Sequence, residues 1–302
     1  MRRTLALVAF LTLLPASAAT AADLDELLDR SREASYSAEQ VISCSTPDGA
    51  RDAVVSLEQA GGELRVSGEV EVSSGSGGWA LISEGSVVDS ASVEAGLSDA
   101  DPAYRVDDGS AHPFLNRKAG LYRLYDGDVL RGELIVDGAT GALLSVTTYN
   151  RDGDVYCERR FIEFDPTPPE VSSSTLSASD ALQPSEATST LPESLGDFER
   201  LDIYEDDDGF VFAYYSDGFF SFAVFSTPTV VELTDPGALT LENSVYARSF
   251  SPGQVTYSWE TRDGGMALVG DLPPDMHPEV LEGLAPPFDP GILQRIWRSL
   301  FG

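Results

Sequence analysis

The sequence is poor in positive charge. Its 302 residues include 19 Lys and Arg against 50 Asp and Glu, for a formal net charge of −31 at neutral pH, and Lys118 is the only lysine. Nucleic acids and anionic membrane surfaces are bound through clustered cations, so we expect the protein to bind neither. A hydrophobic fraction of 42% with 9% aromatic residues nevertheless provides enough apolar side chains for a folded core.

Residue types used in catalytic and metal sites are also scarce. The chain has two histidines, His112 and His277, and each precedes a proline, a setting that favours a turn over a catalytic triad. Two distant histidines and two cysteines do not make the closely spaced ligand set of a zinc site. No glycine-rich phosphate loop opens a helix. We therefore expect no catalytic residue, no metal, no cofactor and no enzymatic activity.

A membrane-spanning run is missing as well. The apolar segment 5–14 follows two arginines and is about half of the roughly 20 residues that a transmembrane helix needs. Small residues follow it, with cleavage sites for signal peptidase after Ala18 or Ala21. The pattern predicts a secretory signal peptide over residues 1–21, an exported mature chain and no transmembrane segment. No cysteine follows the small residues, so a lipid-anchored N-terminus is not expected.

Cysteine usage is limited to Cys44 and Cys157. An even pair in an oxidising compartment favours one disulfide that closes a long loop. Two separated buried thiols remain the alternative. A catalytic thiol pair is disfavoured because the chain has no Cys-x-x-Cys spacing.

Composition divides the chain into two domains joined by a linker. The segment 165–190 contains no Lys or Arg and consists mostly of Pro, Ser and Thr, which is typical of a linker. The expected division is a signal peptide at 1–21, a first domain at 22–164, the linker at 165–190, a second domain at 191–285 and an amphipathic tail at 286–302.

The first domain opens with a helical pattern and continues with a period of two. Leu24, Leu27 and Leu28 share one helical face behind Asp23, a favourable N-cap residue. Alternating segments separated by Asp-Gly and Gly-Gly turns then predict an antiparallel meander. The expected strands are 36–44, 53–58, 63–72, 79–83, 121–130, 133–136, 143–149 and 155–164. The segment 83–119 is polar and irregular and predicts a helix or loops.

One helix covers such a meander only if the sheet curls around it. We therefore expect an α+β fold whose N-terminal part is a curved antiparallel half-barrel with helices on its concave face. Such a shape leaves room for an apolar ligand. The candidate residues for lining that cavity are Leu24, Leu28, Trp79 and Leu81.

The second domain is predicted to be a smaller α+β unit. Its expected strands are 210–215, 219–225, 245–250, 255–260 and 266–270, followed by a helix over 278–283 that opens at a proline. By alternation, one of Phe219 and Phe220 should face the core and the other should face outward. In the tail, an apolar face that includes Trp297 predicts either a partner-docking or interfacial helix or a helix packed on its own domain.

Several motifs of the second domain resemble the MucB/RseB family of periplasmic regulators of the envelope-stress sigma factor. They are YYSDGFFSF at 214–222, VGDLPP at 269–274 and the Leu-Pro entry at Leu191. The first domain is similar to the curved-sheet half that this family shares with periplasmic lipoprotein carriers such as LolA. The segment 136–141, VDGATG, and the strand that begins near Tyr122 carry that similarity.

The resemblance implies a binding protein of the periplasm. Family members bind the periplasmic part of a membrane anti-sigma factor, shield it from the protease that starts signalling, and release it when a lipid or lipopolysaccharide is bound. A periplasmic carrier of lipid or lipoprotein is the alternative. The partner-binding candidates, taken as exposed aromatic residues and their neighbours, are Tyr215, Asp217, Phe219, Phe220 and Trp297.

Overall fold

The computed structural model describes residues 24–47, 49–60, 63–67, 71–75, 78–83, 86–89, 104–107, 109–167, 183–184, 191–205, 210–233, 236–241, 244–251 and 253–288. They form two antiparallel sheets and two helices. Neither of these helices is long and apolar enough to cross a membrane.

The first sheet contains twelve strands and follows the opening helix. The helix and strands are α1 (Leu24–Glu33), β1 (Tyr36–Thr46), β2 (Gly49–Ala60), β3 (Glu63–Ser67), β4 (Glu71–Gly75), β5 (Gly78–Ser83), β6 (Ser86–Asp89), β7 (Tyr104–Val106), β8 (Ser110–Ala111), β9 (Ala119–Asp126), β10 (Val129–Asp137), β11 (Leu143–Tyr149) and β12 (Val155–Asp165). The strand order is β6-β5-β4-β3-β2-β1-β12-β11-β10-β9-β7, with β8 paired to β9.

The second sheet contains nine strands and is followed by a short helix. They are β13 (Gln183–Pro184), β14 (Ser194–Leu195), β15 (Phe198–Glu205), β16 (Val211–Ser216), β17 (Ser221–Thr227), β18 (Gly237–Leu241), β19 (Ser244–Ser251), β20 (Gln254–Glu260), β21 (Gly265–Gly270) and α2 (His277–Glu282). The strand order is β13-β15-β16-β17-β21-β20-β19-β18, with β14 paired to β15.

Contacts of α1 show that the first sheet is curved. The Gln59 side chain at the end of β2 donates hydrogen bonds of 2.7 Å to the backbone oxygens of Ser31 and Arg32. On its other side, α1 touches the β10–β11 turn, where a Cβ on Gly141 would lie 3.1 Å from the Arg30 backbone oxygen. Between β2 and β10 lie four strand spacings, about 19 Å if the sheet were flat. One helix about 10 Å across reaches both strands because the sheet bends around it.

The predicted fold class is confirmed: an α+β chain with a curved antiparallel sheet, followed by a smaller sheet domain with a helix. The expectation of a helix or loops over 83–119 is confirmed for the loop at 112–118 and wrong for 86–89, 104–106 and 110–111, which form β6, β7 and β8. Residues 90–103 lie outside the described residues. Within these limits α1 is the one helix of the first domain.

Several strand boundaries differ from the expected ones. The predicted strand 63–72 is two strands, β3 and β4, and the predicted strand 121–130 ends at Asp126, because the turn at Gly127 takes a φ of +58°. The strand expected to begin at Phe219 begins at Ser221 instead. The strands β13, β14, β15 and β18 have no counterpart among the strand ranges expected for the second domain.

The two domains share one hydrophobic core. Buried Leu124 and Leu134 of the first sheet belong to the same cluster of packed side chains as Phe220 and Phe222 of the second. The predicted linker also contributes to the fold, since Gln183–Pro184 pairs with the second sheet through β15. The junction between the domains is therefore a packed interface.

Candidate functional site

A bulge in β10 places Arg131 at the domain junction. Leu130 lies opposite Tyr125 and Gly132 opposite Leu124, so Arg131 is the extra residue that has no counterpart on β9. Bulges redirect side chains and are common beside functional sites. The Arg131 side chain is 0% exposed although it carries a charge.

The Arg131 guanidinium is only partly paired. Its Nη1 donates to Oδ2 of Asp275, just before α2, at 3.0 Å, and its central carbon lies 5.4 Å from the ring centroid of Phe220. Arg131 Nε and Nη2 and Asp275 Oδ1 are buried without a hydrogen-bond partner. Arg151, in the β11–β12 turn, approaches Asp275 at 3.9 Å and Glu279 of α2 at 3.7 Å.

The turn between β16 and β17 is organised by Asp217. Its Oδ1 accepts hydrogen bonds from the backbone N–H groups of Phe219 at 2.9 Å and Phe220 at 2.7 Å, a local arrangement that aspartate favours in turns. Its Oδ2 accepts a 2.6 Å hydrogen bond from the Tyr104 hydroxyl of β7. One side chain therefore shapes this turn and fastens it to the first domain.

Burial alters the pKa values of this pair. Burial raises the pKa of Asp217 above its usual range, even though the hydrogen bonds from Tyr104 and from the turn favour the charged form. Burial, and then the Asp217 charge, raise the pKa of Tyr104 as well. Tyr104 is thus held as the proton donor of the hydrogen bond.

Gly132 allows the two domains to approach closely. A Cβ on Gly132 would lie 2.6 Å from Cζ of Phe219, closer than carbon atoms approach without a shift. The Phe219 ring also meets Tyr104 edge to face, with 5.6 Å between ring centroids. Phe219 is therefore packed against the first domain.

A second junction contact is built on the disulfide. Cys44 and Cys157 are bonded with an S–S distance of 2.03 Å, on directly opposed positions of β1 and β12. The backbone N–H of Gly253, in the β19–β20 turn, donates to Cys44 Sγ at 3.1 Å. Arg159 of β12 donates to the Gly253 oxygen at 2.8 Å and pairs with Asp271 at 2.7 Å. The predicted disulfide is thus present in the structure and lies under the second domain.

His277 is buried inside the second domain. Its Nε2 lies 2.8 Å from the Leu272 oxygen and must donate to it, so Nδ1 accepts from the Tyr257 hydroxyl at 2.6 Å. Burial lowers the pKa of His277 to about 4. The residue is a neutral part of the core at the start of α2.

The structure corrects the placement of the partner-binding candidates. Phe219 and Phe220 lie in the turn rather than in a strand, Phe220 is 1% exposed and Phe219 faces the first domain, so the expectation that one of them faces outward is wrong. Tyr215 and Asp217 are buried too, and the expectation of exposed aromatics fails for Tyr215. Trp297 lies outside the described residues. A role of any of these residues in partner binding stays a prediction.

The cavity candidates are only partly located. Leu24 is buried in the shared core and Leu28 packs at its edge. Trp79 and Leu81 belong to β5, and their side chains lie outside the described part of the chain. Lining of a ligand cavity by these four residues stays a prediction.

Sequence reasoning missed Arg131, Asp275, Tyr104 and Arg159. One signal was available: Arg131 followed by Gly132 interrupts an otherwise alternating strand, and glycine within a strand often marks a bulge or a close approach. Asp275 and Tyr104 gave no local signal. Among the described residues, no three His, Cys, Asp or Glu side chains come together as metal ligands.

Comparison with known proteins gives structural matches only. No protein-family description and no curated protein matches the sequence. The chain is similar to the structure of the Pseudomonas aeruginosa MucA/MucB complex, with 19% identity, a TM-score of 0.52, 89% of this chain covered and 100% of that chain. It is also similar to MucB in complex with MucA(peri), with 19% identity, a TM-score of 0.50, 88% of this chain covered and 100% of that chain.

At this identity the likeness shows the fold. The match covers the full length of the solved chain, so both sheet domains are included. The resemblance to the MucB/RseB family that the motifs carry is confirmed at that level: the chain has the two-domain fold of MucB.

Proposed function

We propose that the protein is a periplasmic negative regulator of the envelope-stress sigma factor, which binds the periplasmic segment of a membrane anti-sigma factor. One observation carries the proposal. The chain shares the complete two-domain fold of MucB, a protein solved together with MucA(peri). The YYSDGFFSF and VGDLPP motifs support the same family. YYSDGFFSF spans the β16–β17 turn at the junction, and VGDLPP begins with the last two residues of β21.

Two features support export. The N-terminal sequence is that of a signal peptide, with cleavage after Ala18 or Ala21. The disulfide between Cys44 and Cys157 is of a kind found in oxidising compartments. Both features agree with a partner located outside the cytoplasm.

The proposed activity is binding without catalysis. A protein that covers the partner segment shields it from the protease that starts signalling, so binding alone yields negative regulation. We also propose that a lipid or lipopolysaccharide that occupies the first domain releases the partner. A curved sheet around α1 is a shape suited to apolar ligands.

The proposal is tested by capture. The mature protein is passed over an immobilised periplasmic segment of the anti-sigma factor, beside a segment of the same composition in scrambled order. We expect saturable capture by the native segment alone, reversed by added lipopolysaccharide. Absence of capture would overturn the regulatory function. Lipoprotein that co-purifies with the protein, without capture, would favour the carrier alternative.

A further inference from the structure

We propose that the Arg131–Asp275 pair binds one residue of an extended peptide, whose carbonyl oxygen accepts from Arg131 and whose backbone N–H donates to Asp275. The inference rests on the proposed function, because the peptide is the partner segment. It adds where on the protein the peptide binds, which groups recognise it, and that the peptide is bound in an extended conformation.

Unused hydrogen-bonding capacity is the first argument. Arg131 Nε and Nη2 are donors, Asp275 Oδ1 is an acceptor, and all three are buried without a partner. Buried polar atoms are nearly always satisfied, and each exception requires an explanation. These three belong to one ion pair, joined by a single 3.0 Å hydrogen bond, and Asp271 Oδ1 of the Arg159–Asp271 pair is a further such atom. The pair is thus built to make bonds that the chain itself does not supply.

Charge decides what kind of group completes the pair. Arg131 and Arg151 face the carboxylates of Asp275, Glu279 and Asp217 around the junction. Acidic groups already outnumber the basic ones. A phosphate or carboxylate ligand would add a negative charge beside Asp275, and a cation would be repelled by Arg131. The ligand is therefore a neutral group that carries both a donor and an acceptor.

Geometry then favours a peptide. Nε and Nη2 form the side-on fork of the guanidinium, which directs two parallel N–H groups at an acceptor. In an extended chain, the N–H and C=O of one residue point to the same side, as they do in an antiparallel pair. One such residue offers its carbonyl oxygen to the fork and its N–H to Asp275 Oδ1. In a helix both groups are already used within the chain.

Exposure indicates where the peptide enters. The Asp275 side chain is 21% exposed and that of Arg151 is 44% exposed, so one edge of the pair reaches the surface beside α2. The other edge is covered by the Asp217–Phe220 turn, whose Phe220 ring lies over the guanidinium. Because Arg131 Nε and Nη2 are themselves buried, a peptide that enters at the exposed edge reaches them only if this turn withdraws from β10. Withdrawal exposes Phe219 and Phe220, which would then contact the side chains of the peptide.

The test compares two arginines of the same interface. Arg131→Met removes the fork and keeps the apolar contact with Phe220. Arg159→Met removes the arginine of the other junction contact, which is bonded to Gly253 and Asp271. We expect Arg131→Met to weaken capture of the anti-sigma segment by about tenfold or more and to lower the melting temperature less than Arg159→Met does. Arg159→Met should lower the melting temperature and change affinity by less than about threefold.

An N-methyl scan of the segment provides the second measurement. Replacing one backbone N–H at a time by N–CH3 should locate a single position that weakens binding to the parent protein by about tenfold. The same change should have almost no effect on Arg131→Met, because the site has already been lost. A scan without such a position overturns the proposal even if Arg131→Met fails to fold.

The outcomes separate the two proposals. If the parent protein captures no segment, the proposed function fails, and this inference fails with it. If the parent captures the segment and Arg131→Met binds equally well, the function stands and the peptide site is overturned. Buried water would then be the remaining partner of the Arg131–Asp275 pair.

Discussion

The Arg117–Asp137 and Arg131–Asp275 ion pairs are both largely buried, yet they differ in how many of their polar atoms have a hydrogen-bond partner. Arg117 binds both oxygens of Asp137, at 2.8 and 2.9 Å, and Thr140 adds two more hydrogen bonds to Oδ2. Burial alone would raise the pKa of Asp137, but these bonds outweigh it and lower the pKa to about 2. The Arg131 pair has one bond and three unsatisfied atoms.

The location of each pair explains the difference. Arg117 and Asp137 belong to the same domain and brace the β10–β11 turn, so nothing needs to part them. Arg131 and Asp275 belong to different domains. A buried charge that is fully paired favours one fixed arrangement, whereas a half-paired one leaves a second arrangement accessible. In the proposed mechanism, the junction beside Arg131 is therefore the part that responds to a partner, while the Arg117–Asp137 pair holds the β10–β11 turn in one arrangement.

Loss of the disulfide should have the largest effect, because it belongs to both regions. The change Cys44→Ser with Cys157→Ser opens a loop of 113 residues. We expect the free energy of unfolding to fall by about 4 kcal/mol. Denaturant titration measures this loss. The bond itself is checked by alkylating protein from its own compartment without reductant: two modified thiols would contradict the bridge.

Breaking the complete ion pair should come next. Arg117→Met leaves the Asp137 carboxylate buried without its cation, and we expect a loss of about 3 kcal/mol at pH 7. The matched control is Arg123→Met, whose partner Glu133 is more exposed, and there we expect less than about 1 kcal/mol. The free energy of unfolding should fall less for Arg131→Met than for Arg117→Met. Equal losses at Arg117 and Arg131 would remove the distinction between the sheet and the junction.

Acid should destabilise the second domain through His277. The unfolded chain takes up a proton at this residue below about pH 6.5, while the folded protein does so only below about 4. Stability is therefore lost as the pH falls from 6.5 to about 4, by about 3 kcal/mol in total. Asp217 acts in the opposite direction, because its raised pKa makes protonation favour the folded state.

A glutamine control isolates the histidine contribution. His277→Gln keeps a donor for the Leu272 oxygen and an acceptor for the Tyr257 hydroxyl, but it does not titrate. In denaturant titrations between pH 7 and pH 4, the parent protein should lose about 3 kcal/mol more than this variant, in which Asp217 still titrates. Arg248 and Asp275 act on the same histidine and are unchanged in both. Parallel pH curves would rule out His277 as the cause.

The sequence was sufficient for four of the longer strands of the first domain. The period of two and the Asp-Gly turns predicted β1, β2, β11 and β12 to within a few residues, because each strand pairs with a neighbour and alternates between core and solvent. The missed strand β18 is a mostly exposed edge, and β15 carries charged residues among apolar ones. Such strands are specified by their partners more than by their own pattern.

The junction could not be predicted from the sequence for a different reason. Tyr104 and Asp217 are 113 positions apart, and Arg131 and Asp275 are 144 apart. No local pattern encodes such pairs. The motif around Phe219 and Phe220 directed attention to the correct turn, but alternation placed these rings as if the strand continued through it. The turn exists because Asp217 Oδ1 accepts hydrogen bonds from the backbone N–H groups of Phe219 and Phe220, two and three positions further on.

Gly253→Ala should have the smallest effect and tests how tightly the disulfide contact is fitted. Gly253 has a φ of +77°, and an added Cβ would lie 3.0 Å from Arg159 Nη2 and 3.4 Å from Ile42 Cγ2. Gly127 has a φ of +58° with nothing within 4 Å, so Gly127→Ala reports the backbone strain alone, about 1 kcal/mol. We expect Gly253→Ala to lower the free energy of unfolding by about 1 kcal/mol more than Gly127→Ala, because Arg159 must move away from the turn that it hydrogen-bonds. Equal costs in denaturant titration would show that the second domain rests loosely on the disulfide, and that both junction contacts, not only the one at Arg131, are able to part.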